Sequence, residues 1–282
     1  MERLSVGDVV LDVDLALGAR AVEWTVGDLS LLGHRSADPV EHGMYPMAPW
    51  AGRLRGNGLD WAGRRHDLPL TYPPWALHGT ALRQPATVID SGARDESARL
   101  VARIVDHPGW PWPMAIDVGW ALRARTLTAT ITVHALIEPF PAVVGWHPWF
   151  RRQLGRGGPL EWSLAAAGQL ERGGDHLPTG RMLAYDPDAG PFDDAFAVPD
   201  GHASAVWPGA LALDIQSDAT WYVVYDELSA FVCLEPQSGP PDGLGDAALE
   251  GVRVGPRGWA PAVVAPDRPL TLTTTWTMRP FR

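Results

Sequence analysis

Five side chains stand out because their types and settings suit proton transfer and hydrogen bonding to a polar ligand. His147 sits in VVGWHPWF, residues 143–150, between Trp146 and Trp149. Burial beside aromatic rings lowers an imidazole pKa and a neighbouring carboxylate raises it, so either setting can tune a general acid near neutrality. A core histidine bonded to a carbonyl is the alternative. Glu235 ends the apolar run AFVCLEP. A carboxylate there is costly unless it is paired or used, and a desolvated one is a competent general base; a strand-end glutamate turned to solvent is the other reading. His78 precedes Gly79 in YPPWALHGT, residues 72–80, and either presents a ring nitrogen to a pocket or closes a turn. Arg53, in PWAGRLRG, offers a rigid fork of donors for hydroxyls or an anion; Arg55, Arg64 and Arg65 read as solvated hairpin arginines. In GPFDDAFAV, Asp193 or Asp194 could accept hydrogen bonds from hydroxyls or close an Asx turn.

The elements that must position these residues are strands. VVLDVDLALG alternates apolar and polar residues and then meets a Gly turn, and AVEWTVGDLSLLG repeats the pattern. RLVARIV, MAIDVGWALRA, LTATITVHAL, LALDIQ, WYVVYD, AFVCLEP and LTLTTTWTM are β-branched and aromatic, with Gly, Pro, Asp and Asn clustered between them. NGLDWAGRRHDL reads as a hairpin, with turns at Asn57-Gly58 and Ala62-Gly63. AALEGVRV alone has a short helical look. With 27 prolines and 30 glycines spread along 282 residues and no linker or repeat, the expected architecture is all-β: one large antiparallel β-sandwich spanning residues 1–282.

Composition excludes several partners. The net charge is −10 and lysine is absent, which argues against nucleic acid. No run of 18 apolar residues suggests a membrane span, and the acidic N-terminal stretch lacks a signal-peptide pattern, so a cytoplasmic protein, monomer or homodimer, is expected. Cys233 is the only cysteine, which rules out an internal disulfide and a cysteine-rich zinc site. No phosphate-cradling loop, dinucleotide fingerprint, HExxH or GxSxG is present. His134 and His147 lack a convincing third ligand, and neither a metal nor a cofactor is expected. Most of the 14 tryptophans are expected in the core, with ring stacking on a sugar as the other use.

In order, WAGRLRG, LHGT, GWHPWF, FDDAF and CLEPQSGPPD resemble the aldose 1-epimerase (galactose mutarotase) family across nearly the whole chain. The resemblance implies a β-sandwich of the galactose mutarotase type and a cofactor-free isomerase acting on a monosaccharide. It implies Glu235 as general base, His147 as general acid and His78 assisting at the ring oxygen or a hydroxyl. Arg53 and Asp193 would hold hydroxyls, Asp193 being preferred because it stands three residues before Phe196. Acid and base would face each other across the sugar. Trp146 is taken as the tryptophan that lines the site, with Trp149 as the other choice. Two departures bear on which sugar is used: Gly52 stands where an asparagine usually precedes the arginine, and the histidine segment reads Trp-His-Pro-Trp-Phe.

Three rival readings are a sugar-phosphate or sulfo-sugar 1-epimerase, a non-catalytic carbohydrate-binding protein and a glycoside hydrolase. The first needs converging arginines, for which Arg83, Arg151 and Arg152 are candidates. The third needs two carboxylates flanking one bond, such as Asp193 with Glu235.

Overall fold

The computed structural model describes residues 1–244, 249, 252–254 and 257–280. Among these residues the long strands fall into an eleven-stranded and an eight-stranded antiparallel sheet, the all-β sandwich expected from the alternation. Thr126–Ala135 shows why the reading worked: every second side chain is buried and the others face out. The hairpin also forms, Gly58–Trp61 pairing with Arg64–Asp67, and Ala62 and Gly63 take positive φ in the turn. Of the segment with a helical look, residues 247–254, half lies outside the described residues, and Arg253–Val254 is a short strand paired with Arg257–Gly258 rather than helix. No described helix is long and apolar enough to cross a membrane.

The core between the sheets is aromatic. Trp24 of the larger sheet meets Trp276 of the smaller edge-on, with centroids 6.2 Å apart, and Trp146 lies against Trp120 at 4.7 Å. Large rings at these separations bury much apolar area and hold the two layers in register.

Five neighbouring strands of the larger sheet, among them the carriers of His147, Glu235 and Asp193, form one block: Met44–Met47, Gly145–Arg151, Phe231–Gln237, Trp221–Tyr225 and Asp193–Ala197. Four of them lose the half-wet alternation; Gly145–Arg151 is buried at six successive positions. One face lies on the core and the other on the floor of a pocket. The register accounts for that floor. Ala195 pairs with Val223 and Val223 with Glu235, while His147 pairs with Tyr45. The ladder joining Gly145 to Gln237 and Trp149 to Cys233 sets His147 opposite Glu235. One row of side chains thus crosses five strands on one face. The next row on that face runs Asp193, Tyr225, Cys233, Trp149. Between the two recorded pairs of this ladder lie Pro148 and Pro236, which have no N–H to give it.

Candidate active site

The pocket above these rows encloses about 300 Å³ and is lined by Arg53, His78, His147, Trp149, Asp193 and Glu235 among others. Arg53, His78, His147, Asp193 and Glu235, singled out across 183 residues of sequence, therefore converge. Trp146 does not. It is fully buried and lies tilted against Trp120 in the core, because a residue one position from His147 points to the opposite face of the strand. Trp149, two positions away, shares the His147 face; its ring stacks on the imidazole with centroids 5.4 Å apart and its Nε1 donates to the Val40 carbonyl at 3.0 Å. The tryptophan of the pocket is thus Trp149.

His147 Nε2 and Glu235 Oε1 are 3.2 Å apart, and both residues are buried. Acid and base candidates stand side by side on adjacent strands rather than on opposite sides of a ligand. Burial pushes the His147 imidazole down to about 3. Burial, and then the Asp193 charge, push the Glu235 carboxyl well above its usual range, against smaller pulls from Gln237 and Arg53. Both directions disfavour charge, so burial favours the form in which one proton is held between the two groups, and they titrate as a pair. Tyr45 stacks on the other face of His147 at 4.7 Å, and Gln237 Nε2 donates to Glu235 Oε2 at 3.1 Å.

His78 closes the site from the side. Its ring meets that of His147 edge-on at 5.0 Å. Its Nδ1 accepts the Gly52 N–H at 3.2 Å, so the ring proton is on Nε2, and His78 is a donor. Burial lowers its pKa well below 6.5, with His147 and Arg53 adding to the effect, so the donor is neutral. Gly52 explains one departure noted in the sequence. It has φ +75°, and a Cβ there would lie 2.7 Å from Pro241 Cβ; a side chain at this position does not fit.

Arg53 lines the pocket with its guanidinium over Trp75, 5.9 Å from the ring centroid. Its Nε is buried without a hydrogen-bond partner among the described residues. Asp193 faces the pocket; burial raises its carboxyl despite Arg53 and Arg172 nearby, and Arg172 Nη1 reaches it at 3.3 Å. Asp194, which also lines the pocket, accepts from Nε of the same arginine at 3.2 Å.

Several partners were not visible in sequence. Arg55 is not the solvated hairpin arginine expected. Its backbone N–H and Nε both donate to the Asp242 carboxylate, at 2.8 and 3.2 Å, and Nη2 donates to the Pro178 carbonyl at 2.8 Å. Asp242 N–H in turn donates to the Arg53 carbonyl at 2.9 Å, so one buried aspartate grips residues 53–55 from both ends. Nothing in sequence joins positions 187 apart. Gln237 and Cys233 carried a usable signal, since both lie two residues from Glu235 and share its face. His134 belongs to the smaller sheet, where its Nε2 is 3.0 Å from Asp117, and does not approach His147. The arginines considered for an anion do not converge either. Arg83 pairs with Asp38, Arg151 bonds Ser30, and Arg152 donates to the Leu228 and Asp226 carbonyls.

Residues 15–244 match the family model described as aldose 1-epimerase. The uncharacterised protein YphB of Escherichia coli K12 is 28% identical over 151 residues, which cover 52% of this chain and 50% of that protein; the match thus spans about half the length of this curated relative. A galactose mutarotase-like protein from Clostridium acetobutylicum superposes with a TM-score of 0.86 at 13% identity, covering 99% of this chain and 95% of that one. Galactose 1-epimerase from Lactobacillus acidophilus NCFM superposes with a TM-score of 0.75 at 15% identity, over 99% and 93% of the two chains. These likenesses show the fold.

Proposed function

The chain belongs to the aldose 1-epimerase family, and we propose that it interconverts the α and β anomers of an uncharged aldopyranose by acid–base ring opening at Glu235 and His147. The observation that carries this reading is the buried 3.2 Å contact between His147 Nε2 and Glu235 Oε1 on the pocket floor. Residues 1–282 are taken as one catalytic unit, because the pocket draws its lining from Arg35 to Pro241.

Ring opening moves two protons at one carbon. The anomeric hydroxyl loses its proton, its oxygen forms the aldehyde C=O, the C1–O5 bond breaks with its electron pair going to O5, and O5 takes up a proton. O1 and O5 are both attached to C1, so a base and an acid that stand side by side can reach them together. Glu235 accepts the O1 proton and His147 donates to O5. This uses the charge-separated form of the one-proton pair, and the ring closes by the reverse transfers after rotation about C1–C2 presents the other face. The pair holds one proton before and after, so no net charge is left in a site where burial penalises it. His78 Nε2–H donates to the ring oxygen or a hydroxyl, and Arg53 and Asp193 hold hydroxyls.

An uncharged substrate is favoured by the lining. Glu41, Glu171, Asp193, Asp194, Glu227 and Glu235 face Arg35, Arg53 and Arg172, six carboxyl groups against three guanidiniums. The test is exchange between anomeric NMR signals for an aldose panel that includes glucose and galactose beside glucose 6-phosphate. Faster exchange for a neutral aldose and not for its phosphate is the expected result; acceleration confined to the phosphate overturns the proposal.

The pair also sets the pH profile. Adding a second proton requires His147 to protonate, which burial holds to about pH 3. Removing the last one requires ionising the raised Glu235. Activity should therefore fall on the acid side well below 6.5 and not at the ordinary imidazole pKa of about 6.5. A kcat/KM profile from pH 4 to 9 checks this, and an acid limb centred near 6.5 would contradict it.

The Asp242 carboxylate holds Arg55, and its backbone N–H holds the Arg53 carbonyl, so its effect on the sugar is assigned to the placing of Arg53. Asp242→Asn is expected to raise KM about tenfold, equivalent to ~1.4 kcal/mol, with kcat within about twofold. Introducing it into an Arg53→Ala background should add little further loss. Equal effects in both backgrounds would show that Asp242 does not work through Arg53.

A further inference from the structure

Cys233 is a buried group that ring opening does not use. It is fully inaccessible to solvent, and its thiol has no hydrogen-bond partner among the described residues. Yet one ligand atom each from His147, Cys233 and Glu235 lie within 4.8 Å of one another. Cys233 and Glu235 are two residues apart on one strand and His147 stands opposite Glu235, so all three side chains share the pocket-floor face.

We propose that His147 Nε2, Cys233 Sγ and a Glu235 carboxylate oxygen form a three-ligand site for a thiophilic divalent cation such as Zn²⁺, and that its occupation blocks the acid–base pair. The inhibitory part rests on the catalytic reading of that pair.

Donor types and spacing both suit such an ion. Zn²⁺ takes imidazole nitrogen, thiolate sulfur and carboxylate oxygen at about 2.0–2.3 Å, which sets tetrahedral ligand atoms roughly 3.3–3.8 Å apart. The nitrogen and oxygen are already 3.2 Å apart, so small side-chain rotations bring the sulfur in. Gln237 holds Glu235 Oε2, the kind of outer hydrogen bond that fixes a carboxylate ligand and leaves its other oxygen for an ion. Charge decides in favour of the complex. A divalent ion, a thiolate, a carboxylate and a neutral imidazole sum to zero, so burial that penalises each charge alone does not penalise the assembled cluster. His147 and Glu235 line the pocket, so the fourth position opens to it, where water completes the coordination in the space the sugar would fill. With its Nε2 lone pair on the ion, His147 has no proton to give, and Glu235 cannot accept one.

The experiment has a part that does not depend on activity. Cd²⁺ added to the wild-type protein without sugar should produce a thiolate-to-metal ultraviolet band saturating at one ion per chain. Cys233 is the only possible source, since the chain has no other cysteine. In the anomer-exchange assay Zn²⁺ should inhibit, and sugar should protect. Cys233→Ser should keep the uninhibited rate but need ~10-fold or more Zn²⁺ for half inhibition, because a hydroxyl is a poor ligand for this ion. Absence of the cadmium band, or equal Zn²⁺ sensitivity in Cys233→Ser, overturns the proposal. A band from a protein that does not exchange anomers would keep the metal site and reject the catalytic reading.

Discussion

Replacing Glu235 by Gln is expected to lower kcat for anomer exchange by about 10²–10⁴-fold, the contribution of one positioned acid–base group, while making the fold more stable at neutral and alkaline pH. The two effects share a cause. Gln keeps the size of the side chain and can donate to His147 Nε2, 3.2 Å from the present carboxyl oxygen, but it cannot accept a proton. The stability gain follows from linkage. Burial raises the Glu235 pKa in the folded protein above the unfolded value of about 4.3. Below that unfolded value both states carry the proton and the variant resembles wild type. As pH rises toward the folded pKa, the unfolded chain releases its proton and the folded one resists, so wild-type stability is lost and the variant keeps it. Melting temperatures of both proteins between pH 4 and 9 should diverge with increasing pH, the variant being higher. A lower Tm for the variant throughout would mean that the resting pair is a carboxylate–imidazolium ion pair. Groups selected for chemistry often cost stability in this way.

Trp146→Ala should act on the fold and leave catalysis nearly intact. The indole is fully buried against Trp120, and removing a large core ring typically costs about 3–5 kcal/mol through lost burial and the cavity left behind. The denaturant midpoint should therefore drop sharply while KM of the folded fraction changes little. Trp149→Ala is the contrasting case. Trp149 lines the pocket and stacks on His147, so its loss should lower kcat/KM more than Trp146→Ala does. A raised KM with an unchanged midpoint for Trp146→Ala would put that ring in contact with sugar after all.

These two tryptophans also show what the sequence could and could not yield. Alternation made the strands legible, and strand parity alone separates Trp149, two residues from His147, from Trp146, one residue away. The same parity applied to Glu235 reaches Cys233 and Gln237. The pairing of strands was not legible, because hydrogen bonds between distant segments leave no local pattern; the 3.2 Å contact of His147 with Glu235 and the grip of Asp242 on Arg55 both depend on it. Arg172 escaped notice because its strand, Gly168–Arg172, is short and polar. Arg55 looked solvated because a hairpin arginine gives no sign of a buried carboxylate 187 positions away. The charge state of the pair lay equally out of reach, since it depends on burial from both sheet and loops.

The most direct measurement is the optical rotation of freshly dissolved α-glucose or α-galactose followed with increasing amounts of the wild-type protein. A first-order rate that rises in proportion to protein, reaching the same final rotation as the uncatalysed sample, is the predicted result. An unchanged rate across neutral aldoses that the protein nevertheless binds would contradict ring opening by Glu235 and His147 and leave a carbohydrate-binding protein in its place.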